Sequence, residues 1–137
     1  MATFNKFNQF VEDVAEKVHN LGADALTIAL SNVAPVATNS VLANITEIAY
    51  TNLSARAVTI SSSVQTSGTY KLTCADLVLT ASGAVATFRY VVLYNDTPTS
   101  PADPLIGWYD YGSGVTLANL ETFTVDFDGT NGVLTIA

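Results

Sequence analysis

Apolar side chains recur along the first twenty or so residues at spacings of three and four: Phe4, Phe7, Val11, Val14, Val18 and Leu21, with Phe10 widening the stripe. This is the period of an amphipathic helix, and it predicts α-helix over about residues 3–20. Thr3 offers an N-cap hydroxyl, and Gly22 offers the left-handed residue that commonly closes a helix. The stripe has to lie on something, either the domain that follows it or a partner.

After Gly22 the period becomes two. Leu26, Ile28 and Leu30 alternate with Thr27, Ala29 and Ser31, which predicts a half-buried strand ended by Asn32-Val33-Ala34-Pro35. Residues 36–55 carry no single period: Val41, Leu42, Ile45, Ile48 and Ala49 suit a short helical turn, but Thr and Asn dilute the pattern. From there, β-branched and aromatic residues predict strands over Ala57–Ser62, Thr69–Thr80, Ala84–Asn95, Leu105–Tyr111, Glu121–Asp128 and Gly132–Ile136. Ser82-Gly83 and Asp128–Gly132 have the composition of hairpin turns, Asn95–Pro104 that of a polar loop, and Gly112-Ser113-Gly114 that of a flexible corner. Short strands at this spacing predict a mainly β protein, an antiparallel β-sandwich or jelly-roll-like domain over about residues 24–137. With its N-terminal helix it makes one domain over 1–137.

Composition narrows the function. Only 12% of the 137 residues are charged, and 12 Asp plus Glu against 5 Lys plus Arg leave a net charge of −7, which argues against a nucleic-acid backbone as partner. One cysteine, Cys74, permits no internal disulfide, and one histidine, His19, permits no histidine cluster for a metal. Met1–Phe10 lacks the apolar core of a secretory signal, and apolar stretches such as Tyr90–Tyr94 are far shorter than the ~20 residues that cross a bilayer. The chain is therefore expected to be made in the cytosol, to stay soluble and to have no membrane partner.

Three groupings invite chemistry. Asp126-Phe127-Asp128-Gly129 opens like a calcium loop, yet the bidentate Glu at the twelfth position and the flanking helices are missing, so a turn is expected and no metal. Cys74 and His19 are the minimum for a nucleophile and its base, but Cys74 shares its phase with Tyr70 and Leu72 as a core residue would, and no orienting motif accompanies either. No catalytic residue and no cofactor are expected. Trp108-Tyr109-Asp110-Tyr111 joins aromatic bodies to polar tips, the residue types favoured at interfaces. In a strand, Trp108 and Asp110 share one face and Tyr109 and Tyr111 the other, so one of the two faces is expected in the core.

Several segments carry a family resemblance: FNKF at Phe4–Phe7, LTIALSNVAP at Leu26–Pro35, VLANITEIAY at Val41–Tyr50, FRYVVLYN at Phe88–Asn95, PLIGWYDY at Pro104–Tyr111 and the terminal GVLTIA. In their order they resemble small virion proteins of tailed bacteriophages, of the kind that decorate or cement the icosahedral head. The resemblance implies a β-sandwich or jelly-roll-like protein on the capsid surface. Its partner would be the outer face of the major capsid protein lattice, bound by a homo-oligomer, a dimer or trimer. Under that reading Phe4, Phe7 and Phe10 on the helix are the first candidates for the interface, with Trp108, Tyr109 and Tyr111 second. The rival readings are a receptor- or carbohydrate-binding module of a tail or fibre, in which the Trp108–Tyr111 aromatics stack on sugar rings, and a tail completion or tube protein.

Overall fold

The computed structural model describes residues 2–137. The chain is mainly β, with antiparallel sheets and, among the described residues, a single short helix. Its elements run β1 Phe4–Lys6, α1 Gln9–Ala15, β2 Leu26–Ser31, a 3₁₀ turn at Leu42–Asn44, β3 Ile60–Thr66, β4 Thr69–Cys74, β5 Leu77–Thr80, β6 Phe88–Asn95, β7 Leu105–Val115, β8 Thr122–Val125 and β9 Leu134–Ile136. Four strands pair in the order β1-β7-β6-β2, three in the order β3-β4-β9, and β5 pairs with β8.

The helix is much shorter than its apolar period predicts, for a reason at each end. Phe4–Lys6 is spent as an edge strand, with Phe4 opposite Tyr109 and Lys6 opposite Gly107. At the other end, the Val18 N–H reaches back to the Asp13 carbonyl at 2.8 Å and the Lys17 N–H to that of Val14 at 3.4 Å, while Lys17 sits at φ 66°. This is a Schellman closure whose left-handed position is filled by lysine, five residues before Gly22. A left-handed conformation costs an L-residue about 1–2 kcal/mol, and glycine adopts it freely at some cost in unfolded-chain entropy. Lys17→Gly is therefore expected to stabilise the protein by about 0.5–1 kcal/mol, read as a rise in the urea midpoint at unchanged slope.

β2 falls on the predicted residues, and the 36–55 stretch is irregular apart from the 3₁₀ turn and isolated bridges such as Ser31–Glu47 and Val41–Pro104. Two predicted hairpins are crossovers instead. Ser82-Gly83 joins β5 to β6, but β5 pairs with β8 and β6 with β2 and β7. The Asp128–Gly132 turn leads from β8 to β9, which pairs with β4. Both turns are locally well formed; partner choice was decided by burial elsewhere in the chain. The Gly112–Gly114 corner lies within β7, and the predicted Thr69–Thr80 strand is broken into β4 and β5. A tight hairpin does occur between β3 and β4, where Ser67 at φ 51° and Gly68 at φ 86° supply the two left-handed residues of a type I′ turn.

The four-stranded sheet is covered on both faces, which is why β6 reads as a continuous apolar run. On one face Ile28, Leu30, Val91, Leu93 and Tyr109 join the larger core with Leu72, Leu79, Phe88 and Phe127 from the other sheets. On the other, Ala29, Val92, Tyr94 and Leu105 pack with Phe7 and Ile45, flanked by Leu42 and Trp108. The unperiodic 36–50 segment thus has a structural task as the lid of this second core. Among the described residues no helix is long and apolar enough to cross a membrane.

Candidate functional site

The six interface candidates do not form one patch. Phe7 is fully buried in the second core against Trp108, ring centroids 4.6 Å apart, and Phe10 is buried in the main core beside His19. Tyr109 is also core, its hydroxyl pushed far above the usual phenol range by burial. These three are corrections to the expected interface. An amphipathic stripe cannot tell a partner from the rest of the same chain, and here the chain itself claims it. Phe4 and Trp108 are half-buried, and Tyr111 alone of the six is exposed, at 54%. Strand alternation holds: Trp108 packs on one face, and Tyr109 and Tyr111 line a cleft on the other.

Two apolar concavities are open on the surface. One is a groove of about 510 Å³ between α1 and β9, lined by Phe4, Phe10, Val11, Val14, Leu134 and Ile136. Val11 and Ile136 are large apolar side chains left 54% and 41% exposed there. Both strands flanking this groove, β1 and β9, are sheet edges. The other is a smaller cleft of about 140 Å³ with Tyr109, Tyr111, Phe123 and Val125 as walls and Asp126 at the rim. In it the rings of Tyr111 and Phe123 meet edge to face at 5.1 Å.

The charged groups that drew attention in the sequence are engaged in the scaffold. Arg89 Nε and Nη2 donate to Asp110 Oδ1 and Oδ2 at 2.8 and 3.0 Å, and Asp110 Oδ1 also accepts from the Gly112 N–H. These bonds hold the Asp110 carboxyl below its usual range. Asp128 accepts from the Thr130 and Asn131 N–H groups and from Asn131 Nδ2, which likewise keeps it ionised. Asp126 Oδ1 accepts from the Asp128 N–H. This run is thus a turn capped by its own carboxylates, and the described residues contain no group of three or more His, Cys, Asp or Glu placed to hold a metal. Cys74 is buried in the main core and its thiol is pushed up to about 11 by burial. His19 has a different environment, bonded through Nδ1 to Asn95, so the structure does not assemble Cys74 and His19 into a pair.

Nothing in the sequence announced the polar cluster around His19. Asn95 Nδ2 lies 3.0 Å from His19 Nδ1 and donates to Asp24 Oδ2 at 2.7 Å, the Asn20 N–H donates to that same oxygen, and Gln9 Nε2 donates to Asp13 Oδ1. Among the described residues only Asp13 Oδ2 and His19 Nε2 are buried side-chain atoms without a hydrogen-bond partner. The cluster joins residues 76 positions apart, so no local spacing could have pointed to it. No family model, no curated protein and no solved structure matches this chain.

Proposed function

We propose that this chain is a structural protein of a tailed-phage head, a β-sandwich of jelly-roll type that binds the outer surface of the major capsid lattice as a homo-oligomer. The family resemblance of the segments from FNKF to GVLTIA supplies the class. The observation that carries a binding role is the open apolar groove between α1 and β9. Val11 and Ile136 are held in water there, and exposed apolar concavities of this kind mark sites of association. The action needs no bond chemistry. Contacts available only on the expanded shell stabilise that state by their differential affinity, and many copies together oppose the internal pressure of packaged DNA.

The test is a pair of charge substitutions on the rim. Val11→Asp with Ile136→Asp is expected to change stability by no more than about 0.5 kcal/mol per site, since both side chains are largely exposed. The same variant is expected to lose co-sedimentation with expanded capsids lacking the native protein. Undiminished binding by the folded variant would remove the groove from the interface.

One observation favours the tail or fibre module as a second reading: the cleft where the exposed Tyr111 ring meets Phe123 beside Asp126 has the aromatic-plus-carboxylate make-up of a sugar platform. Tyr111→Ala would then abolish binding to host-surface glycans, whereas on the capsid reading it leaves shell binding intact.

A further inference from the structure

The orientation of one amide fixes the protonation state of the single histidine. The Thr97 N–H donates to Asn95 Oδ1 at 3.1 Å, which identifies that atom as the oxygen and leaves Nδ2 as the NH₂ group. Nδ2 then donates one hydrogen to Asp24 Oδ2 at 2.7 Å and the other to His19 Nδ1 at 3.0 Å. An amide NH₂ cannot accept, so Nδ1 must carry a lone pair. The ring is neutral, and its proton is on Nε2.

This bond is central to how the segment after the helix is held. Asp24 also takes the Asn20 N–H, the Ala25 N–H donates to Thr97 Oγ1 at 2.8 Å, and the Asp96 N–H donates to the Ala25 carbonyl at 2.8 Å. His19, Asp24 and Asn95 therefore fasten residues 16–25 to the end of β6, and Phe10 of α1 lies against the same imidazole, ring centroids 5.2 Å apart. We infer that His19 is a proton-operated pin: its neutral ring locks residues 16–25 onto β6, and a proton arriving at Nδ1 sets donor against donor at Asn95 and releases the segment. The inference is independent of the capsid reading.

The groups facing the ring act in both directions. Asp13 from α1 and Asp24 from the following loop favour the imidazolium, while Lys17 and Tyr70 line the adjoining cleft of about 590 Å³. Burial of the ring is the larger influence and holds its affinity for protons below that of a free histidine. The sign follows directly. The native state takes up a proton less readily than the unfolded chain, so the pin is intact above about pH 6.5 and loses its contribution as pH falls below that value.

The experiment uses the full chain and nitrogen-detected NMR of the imidazole, followed by amide hydrogen-exchange protection from about pH 8 to about pH 5. The ring should show the Nε2–H tautomer at neutral pH. Protection at Asn20, Asp24, Ala25 and Asp96 should be lost on acidification, while central β6 and β7 amides keep theirs. His19→Gln, whose carbonyl oxygen can take the Asn95 hydrogen without titrating, should abolish the acid loss. An Nδ1–H tautomer, a protection profile in residues 16–25 that does not respond to acid, or the same acid loss in His19→Gln would each overturn the inference. Were His19→Gln not to fold, the tautomer and the wild-type profile would still decide it.

Discussion

Replacing Gly107 by alanine is expected to cost about 3 kcal/mol, the upper range for overpacking a well-filled site. A Cβ at this position would run into the Phe4 ring and stand 2.7 Å from the Asn5 carbonyl oxygen. The backbone at Gly107 is not unusual; what it needs is the absence of a side chain, because Lys6 pairs with it and the Phe4 ring lies over it. An aromatic ring covering a cross-strand glycine is a known way to fasten an edge strand. Here the fastened strand leads directly into α1. The added methyl would push β1 away and loosen the Phe4–Tyr109 contact, whose ring centroids are 5.5 Å apart. Urea unfolding of Gly107→Ala, Phe4→Ala and the double variant tests this. The double variant should be more stable than the sum of the single losses implies, because removing the ring removes part of the clash.

Phe7→Asp is expected to leave no folded protein. Phe7 is 0% exposed, and truncating a buried Phe even to alanine costs about 3–5 kcal/mol. A carboxylate at its place between Trp108, Ile45 and Leu105 would add the penalty of an unpaired buried charge. Together these approach or exceed the roughly 5–15 kcal/mol by which whole domains are stable. Far-UV circular dichroism and one-dimensional proton NMR should show an unfolded chain. Val11→Asp, only four residues along the same apolar stripe, should stay folded. A folded Phe7→Asp would mean that the second core is not where the structure puts it.

The contrast between Phe7 and Val11 also shows how far the sequence could be read. Period-two alternation located β2 on its own six residues, and the β-branched runs marked most of the remaining strands, because both signals are local. Pairing was not local. Ser82-Gly83 and Asp128–Gly132 are turns as their residues predict, yet which strand follows which in a sheet depends on apolar faces meeting across the chain. The helix was overextended because Phe4 and Phe7 satisfy a helical spacing while serving, respectively, an edge strand and the second core. Its early stop rests on Lys17 in a left-handed conformation, which a sequence does not advertise as a glycine does.

The candidate interface fared differently from the fold. Tyr111 kept the exposure expected of an interface residue, but Phe7, Phe10 and Tyr109 are core, since aromatic side chains serve burial and recognition by the same physics. The groove residues Val11, Leu134 and Ile136 carry no chemical distinction in the sequence; only the packing of α1 beside β9 makes them a surface. The His19–Asn95–Asp24 cluster was equally hidden, being assembled from three segments.

The proposed role rests on this chain being part of the particle in lattice proportion. Quantitative mass spectrometry of gradient-purified virions from the phage that carries the gene, expressed as copies of this chain per major capsid protein, tests it most directly. The expected ratio is a simple fraction of the capsid lattice, as the symmetry of a decorating oligomer requires. A few copies per particle, or none, would contradict it.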